Sequence, residues 1–230
     1  MSSKKKTARI AGLIYLILIL SGIFNLIYVP STLFVSGDPL ATLENIENQQ
    51  TLFQLGILSG LLCFTCFILL PLALYKLLSE VHKTHAVLMV IFALVSVPIS
   101  YLNIGNLFTV LSLINDEQLL GLFTREELLA QVMVYLEHYS NGTLVAHIFW
   151  GLWLFPFGYL VYKSGFLPKF LGICLMLGCF GYLIDFLGYF LCPDYASTTF
   201  ATLVGIPSGI GEIGICLWML IVGVRSKSPA

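Results

Sequence analysis

The sequence predicts an all-α polytopic membrane protein with six transmembrane helices, both termini cytoplasmic and short amphipathic helices in the external loops. Three observations predict it. The chain has 230 residues, 58% of them hydrophobic and only 10% charged, whereas soluble domains carry about 25% charged residues. The apolar residues collect in six runs, each of the ~20 residues that a hydrocarbon core demands. Lysine and arginine then fall in alternate loops, as short cytoplasmic connections require. Together the spans form one transmembrane domain over residues 1–230.

The first run, Ala8–Tyr28, follows "KKK" and so has the flank of a signal peptide. It is longer than an h-region, and "SGIFNLIYVPST" offers no small-x-small cleavage site, so it is expected to stay attached. "GDPLATLENIENQQ" reads as a short amphipathic helix capped by Asp38, with Pro39 at its first position. The second span is Leu52–Leu78. Its Cys63 and Cys66 have C-x-x-C spacing, but "LLCFTCFILL" lacks the βαβ context of a redox motif, and packing is the reading. The third, Ala86–Leu113, carries Ser96, Ser100 and Asn103 along one stripe, with Pro98 as a kink.

"TREELLAQVMVYLEHYSNG" opens with Thr124 and Glu127 in capping-box spacing. Leu128, Leu129, Val132, Met133 and Leu136 recur at helical intervals, which predicts an amphipathic helix lying over the outer mouth, partly in the interface. The last three spans are Leu144–Tyr162, Leu167–Leu191 and Ala201–Val224. Between the first two of these, "YKSGFLPK" is a tight turn, with Gly165 ending helix four and Pro168 in the first turn of helix five.

With the N-terminus inside, Lys4, Lys5, Lys6, Arg9, Lys76, Lys83, Lys163, Lys169, Arg225 and Lys227 are cytoplasmic, and of the 11 basic residues only Arg125 is external. Asp38, Glu44, Glu47, Asp116, Glu117, Glu126, Glu127, Glu137 and Asp194 occupy the external segments. Beyond the opening lysines there is no basic patch, which argues against a nucleic-acid partner. Five of the 6 cysteines lie in apolar runs and only Cys192 near a surface, so no disulfide framework is implied. The lipid bilayer is the one partner the composition requires. "GILSG" at Gly56–Gly60 is a small-xxx-small face that suits a dimer or the bundle interior equally, so the oligomeric state stays open.

A carboxylate at the centre of a membrane helix costs about 2.5–3.5 kcal/mol on insertion scales and marks a functional site by default. There are two, Asp185 in helix five and Glu212 in helix six, joined by His147 in helix four. At 1.5 Å per residue, His147 lies ~7 Å and Asp185 ~10 Å below the outer ends of their helices. Glu212 lies at ~7 Å if the regular helix starts at Pro207, and nearer the midplane if it starts at Ala201. Asn25, Asn103 and Asn106 also belong to outer halves and read as hydrogen bonders between helices. Tyr182, Tyr189, Trp150 and Trp153 read as packing or interface anchors.

This distribution predicts a polar chamber opening outward. Its candidate residues are His147, Asp185, Glu212, Asn103 and Asn106, and its occupant a small ligand or cation, as in a transporter or sensor component. Two alternatives stand beside it. His147, Asp185 and Glu212 form an acceptable ligand set for a divalent metal, the cofactor of an intramembrane hydrolase, although no H-E-x-x-H spacing supports it. Otherwise the polar set only locks the bundle, and the protein acts through partners.

The strings "ARIAGLIYLI", "HIFWGLWLFPFGYLVYKSGFLPKFLG", "GYLIDF" and "IPSGIGEIGICLWMLIVGV" carry a likeness over nearly the whole chain. In them the chain resembles a bacterial membrane family known as domain of unknown function 4386. The resemblance implies six helices in a bacterial cytoplasmic membrane and puts His147, Asp185 and Glu212 within the shared pattern. It brings no substrate, cofactor or catalytic role with it.

Overall fold

The computed structural model describes residues 3–225, so Lys227 lies outside the described residues. Every regular element among them is helical. Six helical segments are long and apolar enough to cross a membrane: Ser3–Leu33, Gln50–Leu78, Lys83–Asn115, Arg125–Lys163, Lys169–Leu191 and Thr199–Ile221. The chain is an integral membrane protein by this measure, as its composition requires.

The first span is α1 (Ser3–Ile23), a π-helical turn at Phe24–Tyr28 and α2 (Val29–Leu33). It thus runs beyond the expected end at Tyr28. Pro30 explains the π turn: in an α-helix its ring would press on the Leu26 carbonyl, and the wider turn relieves that clash. α3 (Pro39–Asn48) starts as expected, with the Asp38 carboxylate accepting from Ala41 N at 3.0 Å. α4 (Gln50–Leu78) and α5 (Lys83–Asn115) follow, with Pro71 and Pro98 inside them.

After the short α6 (Glu117–Leu120), the capping box forms: Thr124 N donates to Glu127 Oε2 at 2.8 Å, and Glu127 N to Thr124 Oγ1 at 3.2 Å. The helix it opens differs from expectation. α7 runs unbroken from Arg125 to Leu152, so the amphipathic segment is the first part of helix four and not a separate helix over the mouth. "SNGT" has the composition of a boundary, but a single glycine inside a helix costs only ~1 kcal/mol. The break comes later, at Trp153, before α8 (Leu154–Lys163). Pro156 accounts for it, because it cannot donate to the Leu152 carbonyl. Gly165, at φ 72°, ends that helix as expected, while Pro168 caps α9 (Lys169–Leu191) from just outside. Helix six is split at Gly205 into α10 (Thr199–Val204) and α11 (Ile206–Ile221), with Pro207 in the first turn of the latter.

The chain divides into two compact units. One comprises residues 1–17, 66–97 and 144–230; the other comprises 18–65 and 98–143. In the first, α8, α9 and α11 approach through glycines. A Cβ at Gly158 would lie 2.6 Å from the Gly172 carbonyl, one at Gly178 would lie 2.8 Å from Ser208 Cα, and one at Gly211 would lie 2.9 Å from Leu175 N. Such contacts let backbones replace side chains at the interface, which is how helices bind one another in lipid. Trp153, Tyr15 and Phe157 fill the core beside them. Lys4 pairs with Glu80 at 2.6 Å, Arg9 Nη2 donates to the Ile221 carbonyl at 3.4 Å, and Arg225 N to the Phe166 carbonyl at 3.1 Å. These contacts gather the chain start, the α4–α5 turn, the α8–α9 turn and the end of helix six at one end of this unit.

The second unit is closed by asparagines. Asn103 Nδ2 donates to the Tyr139 carbonyl at 2.9 Å and to Thr143 Oγ1 at 3.1 Å, tying α5 to α7. Gly142 is what admits the asparagine, since a Cβ there would overlap Asn103 Oδ1. Arg125, the basic residue that departs from the charge pattern, holds the Glu47 carboxylate with both terminal nitrogens, at 2.5 and 2.7 Å.

Candidate functional site

Glu212 sits on α11, one turn before Cys216. The Cys216 thiol reaches the Gly12 carbonyl at 3.5 Å, and a Cβ at Gly12 would lie 2.9 Å from Leu220 N, so α1 and α11 touch backbone to backbone here. One turn along α1 from Gly12 is Tyr15. The close approach therefore delivers the Tyr15 hydroxyl to Glu212, to which it donates at Oε2 over 2.8 Å. Tyr182 of α9 donates to the other oxygen, Oε1, at 3.3 Å. Tyr15 is wholly buried, its ring edge-on to Trp153 at 6.1 Å and tilted against Phe157 at 6.5 Å. The carboxyl group is thus gripped by two phenols on separate helices.

Its depth follows from the same partners. Tyr15 is the thirteenth of the 31 residues of Ser3–Leu33, and Glu212 the fourteenth of the 23 of Thr199–Ile221. Both lie close to the middle of their spans. Helix six is helical from Thr199 and restarts at Ile206 after the break at Gly205, so both helix starts considered for Glu212 exist in the chain.

Asp185 is placed differently. It lies six residues before Leu191, the end of α9, and accepts at Oδ1 from the Tyr195 hydroxyl at 2.6 Å. Tyr195 belongs to the 3-10 turn Tyr195–Ser197 between α9 and α10. Its ring lies over Gly188, where a Cβ would overlap it, and edge-on to Tyr189 at 5.0 Å. Burial, and then the bond to Asp185, push the Tyr195 phenol well above its ordinary value.

His147 lies beside Tyr182. Its ring is edge-on to Tyr182 at 5.7 Å and tilted against Trp150 at 5.0 Å. Asp185 follows Tyr182 by three residues on α9, about one turn. His147 Nδ1 is enclosed and has no hydrogen-bond partner among the described residues. Tyr195, Asp185, His147, Tyr182, Glu212 and Tyr15 thus form a row of polar groups within one unit, from the α9–α10 connection to mid-span. It is a row and not a cluster. Among the described residues, no group of three or more His, Cys, Asp or Glu side chains could hold a metal ion, so the expected trio of His147, Asp185 and Glu212 does not converge. Each carboxylate is taken by tyrosine instead.

Asn103 and Asn106, expected beside these residues, belong to the second unit. Asn106 Nδ2 donates to the Asn103 carbonyl at 3.1 Å and to its side-chain oxygen at 3.2 Å. Their bonds are those of a helix clamp. Tyr15 and Tyr195 were not expected in the site, and Tyr182 is a hydrogen-bond donor as well as a packing anchor. The signal for Tyr15 and Tyr182 is a phenol placed where a buried hydroxyl must find an acceptor.

The profile of the family described as "Domain of unknown function (DUF4386)" matches residues 10–223. An uncharacterised protein of Archaeoglobus fulgidus is 35% identical over 79 residues, covering 34% of this chain and 44% of that protein. The chain therefore spans under half the length of that curated relative. No solved structure matches.

Proposed function

The chain belongs to the DUF4386 family, a membership without an assigned activity, and from its polar row we propose a membrane protein that takes up a proton or small cation in an outward-facing site with Glu212 at its base. The observation that carries this reading is the carboxyl of Glu212, held mid-span between the hydroxyls of Tyr15 and Tyr182. A hydroxyl can donate to a carboxylate or turn its lone pairs to a bound cation, so the same three groups serve both states of the site. Asp185 and His147 supply the approach. They lie toward the α9–α10 connection from Glu212, and the charge pattern predicts that connection to be external.

Satisfied carboxylates also fit a purely structural role, and the two readings part experimentally. The purified protein in lipid nanodiscs is melted across a pH series, and with Li⁺, Na⁺ or K⁺ at constant ionic strength. Uptake at Glu212 requires a melting temperature that moves with pH or with one cation, and Glu212→Gln must abolish that dependence while still folding. If the wild type responds to neither, or Glu212→Gln keeps the response, the proposal fails. A lower melting temperature in the variant with its response unchanged assigns Glu212 to bundle stability alone.

A further inference from the structure

The π turn Phe24–Tyr28 in the second unit creates a polar problem that the protein's own groups leave unsolved. In a π register each N–H bonds the carbonyl five residues back, and Val29 N bonds the Phe24 carbonyl in this way. The next donor in that register is Pro30, which has no N–H, so the ladder offers nothing to the Asn25 carbonyl. The Asn25 side chain is in the same position. It is 3% exposed, its Oδ1 accepts from the Tyr139 hydroxyl at 3.5 Å, and its Nδ2 is enclosed without a hydrogen-bond partner among the described residues. Gly60 makes room for that nitrogen, since a Cβ there would stand 2.9 Å from it. A buried amide donor left unmet loses its hydration with nothing in return.

A cavity adjoins this residue. It measures about 10 Å³ and is lined by Asn25, Pro30 and Tyr139, with Val29, Phe53 and Leu107 among its apolar walls. That is the space of about one water, and a buried water needs two to four polar partners. Three adjoin it: the Asn25 amide as donor, the Asn25 carbonyl as acceptor, and the Tyr139 hydroxyl, whose proton goes to Asn25 Oδ1, as a second acceptor. We propose that the π turn of the first span is a binding site for one internal water, held by Asn25 and Tyr139. A larger ligand does not fit the volume, and a metal ion does not suit an amide N–H. The water completes the turn: it occupies the gap that Pro30 opens in the ladder, and it makes Asn25 a ligand to solvent within the membrane span.

Solid-state NMR of the full-length protein in bilayers tests this through magnetisation transfer from water to the Asn25 side-chain NH₂. A long-lived cross-peak is expected in the wild type. It should vanish in Pro30→Ala, where the restored N–H allows an α register, while the cross-peaks of surface amides persist. Asn25→Leu should fold and remove the water-contact signal at Tyr139. The proposal is overturned if the Asn25 amide shows no water contact in the wild type, or if the contact survives Pro30→Ala unchanged. A high-resolution structure with Asn25 Nδ2 bonded to a protein carbonyl would also overturn it.

Discussion

Glu212 shows what a single carboxyl in an apolar helix asks of its neighbours. Both of its oxygens are met by phenols, so removing one hydroxyl leaves an acceptor without its donor. Tyr15→Phe keeps the ring packing on Trp153 and loses only that bond, and should destabilise the protein by about 1–3 kcal/mol in thermal unfolding. Tyr195 carries a pH signature. At neutral pH its phenol is protonated in both folded and unfolded chains, and its bond to Asp185 contributes in full. As pH rises past about 10, the ordinary tyrosine value, the unfolded chain releases that proton while the folded chain holds it, and stability falls. Tyr195→Phe should therefore flatten the alkaline limb of the melting temperature against pH, measured as the difference from wild type. At this scale the sequence was half legible. Asp185, His147 and Glu212 stand out because charge in an apolar run is costly. Their tyrosine partners do not, because a tyrosine in the same run reads equally well as an interface anchor or as packing.

Among the helices, α9 is the one whose faces are most closely specified. Gly172 meets α8, while Gly178 and Gly181 meet helix six, where a Cβ at Gly181 would lie 2.6 Å from the Val204 carbonyl. Gly172→Ala forces a methyl to within 2.7 Å of Tyr162 N and should cost about 1–3 kcal/mol, as overpacking does. Gly209→Ala on α11 meets nothing within 4 Å and should leave the melting temperature unchanged or raise it slightly. The contrast in one unfolding assay separates close packing from mere helix propensity. Element existence was legible from apolar length alone. The amphipathic segment and helix four read as two helices because the pattern turns from amphipathic to apolar near Leu144, whereas in space Gly142 between them is the seat of Asn103. The π turn was missed for a related reason: Pro30 reads as a stop, and a helix can pass a proline by widening one turn.

Across the whole chain, six spans and the gathering of basic residues act together. The contacts Lys4–Glu80, Arg9–Ile221 and Arg225–Phe166 tie the start of the chain, two turns and the end of helix six. An even number of crossings calls for that arrangement. The charge pattern predicts that this end is cytoplasmic. A reporter active only in the cytoplasm should work when fused to either terminus, and one active only outside should work when inserted at Gly37, whose φ of 77° marks an open turn. An outside reporter active at either terminus would reverse the orientation. The number of crossings was the most legible level, since membrane thickness is written directly in the length of the apolar runs. The division into two compact units was not, because it cuts through four long helices whose hydropathy is continuous across the cut.

Gly12 carries a consequence out of proportion to its size. It lets α1 lie against α11, and the register of that contact is what brings a hydroxyl and a carboxyl together one turn away. A genetic screen for loss of the proposed uptake would accordingly recover bulky replacements at this position alongside changes at Glu212 itself. The glycine would look like part of the chemistry, although it offers a ligand nothing to hold.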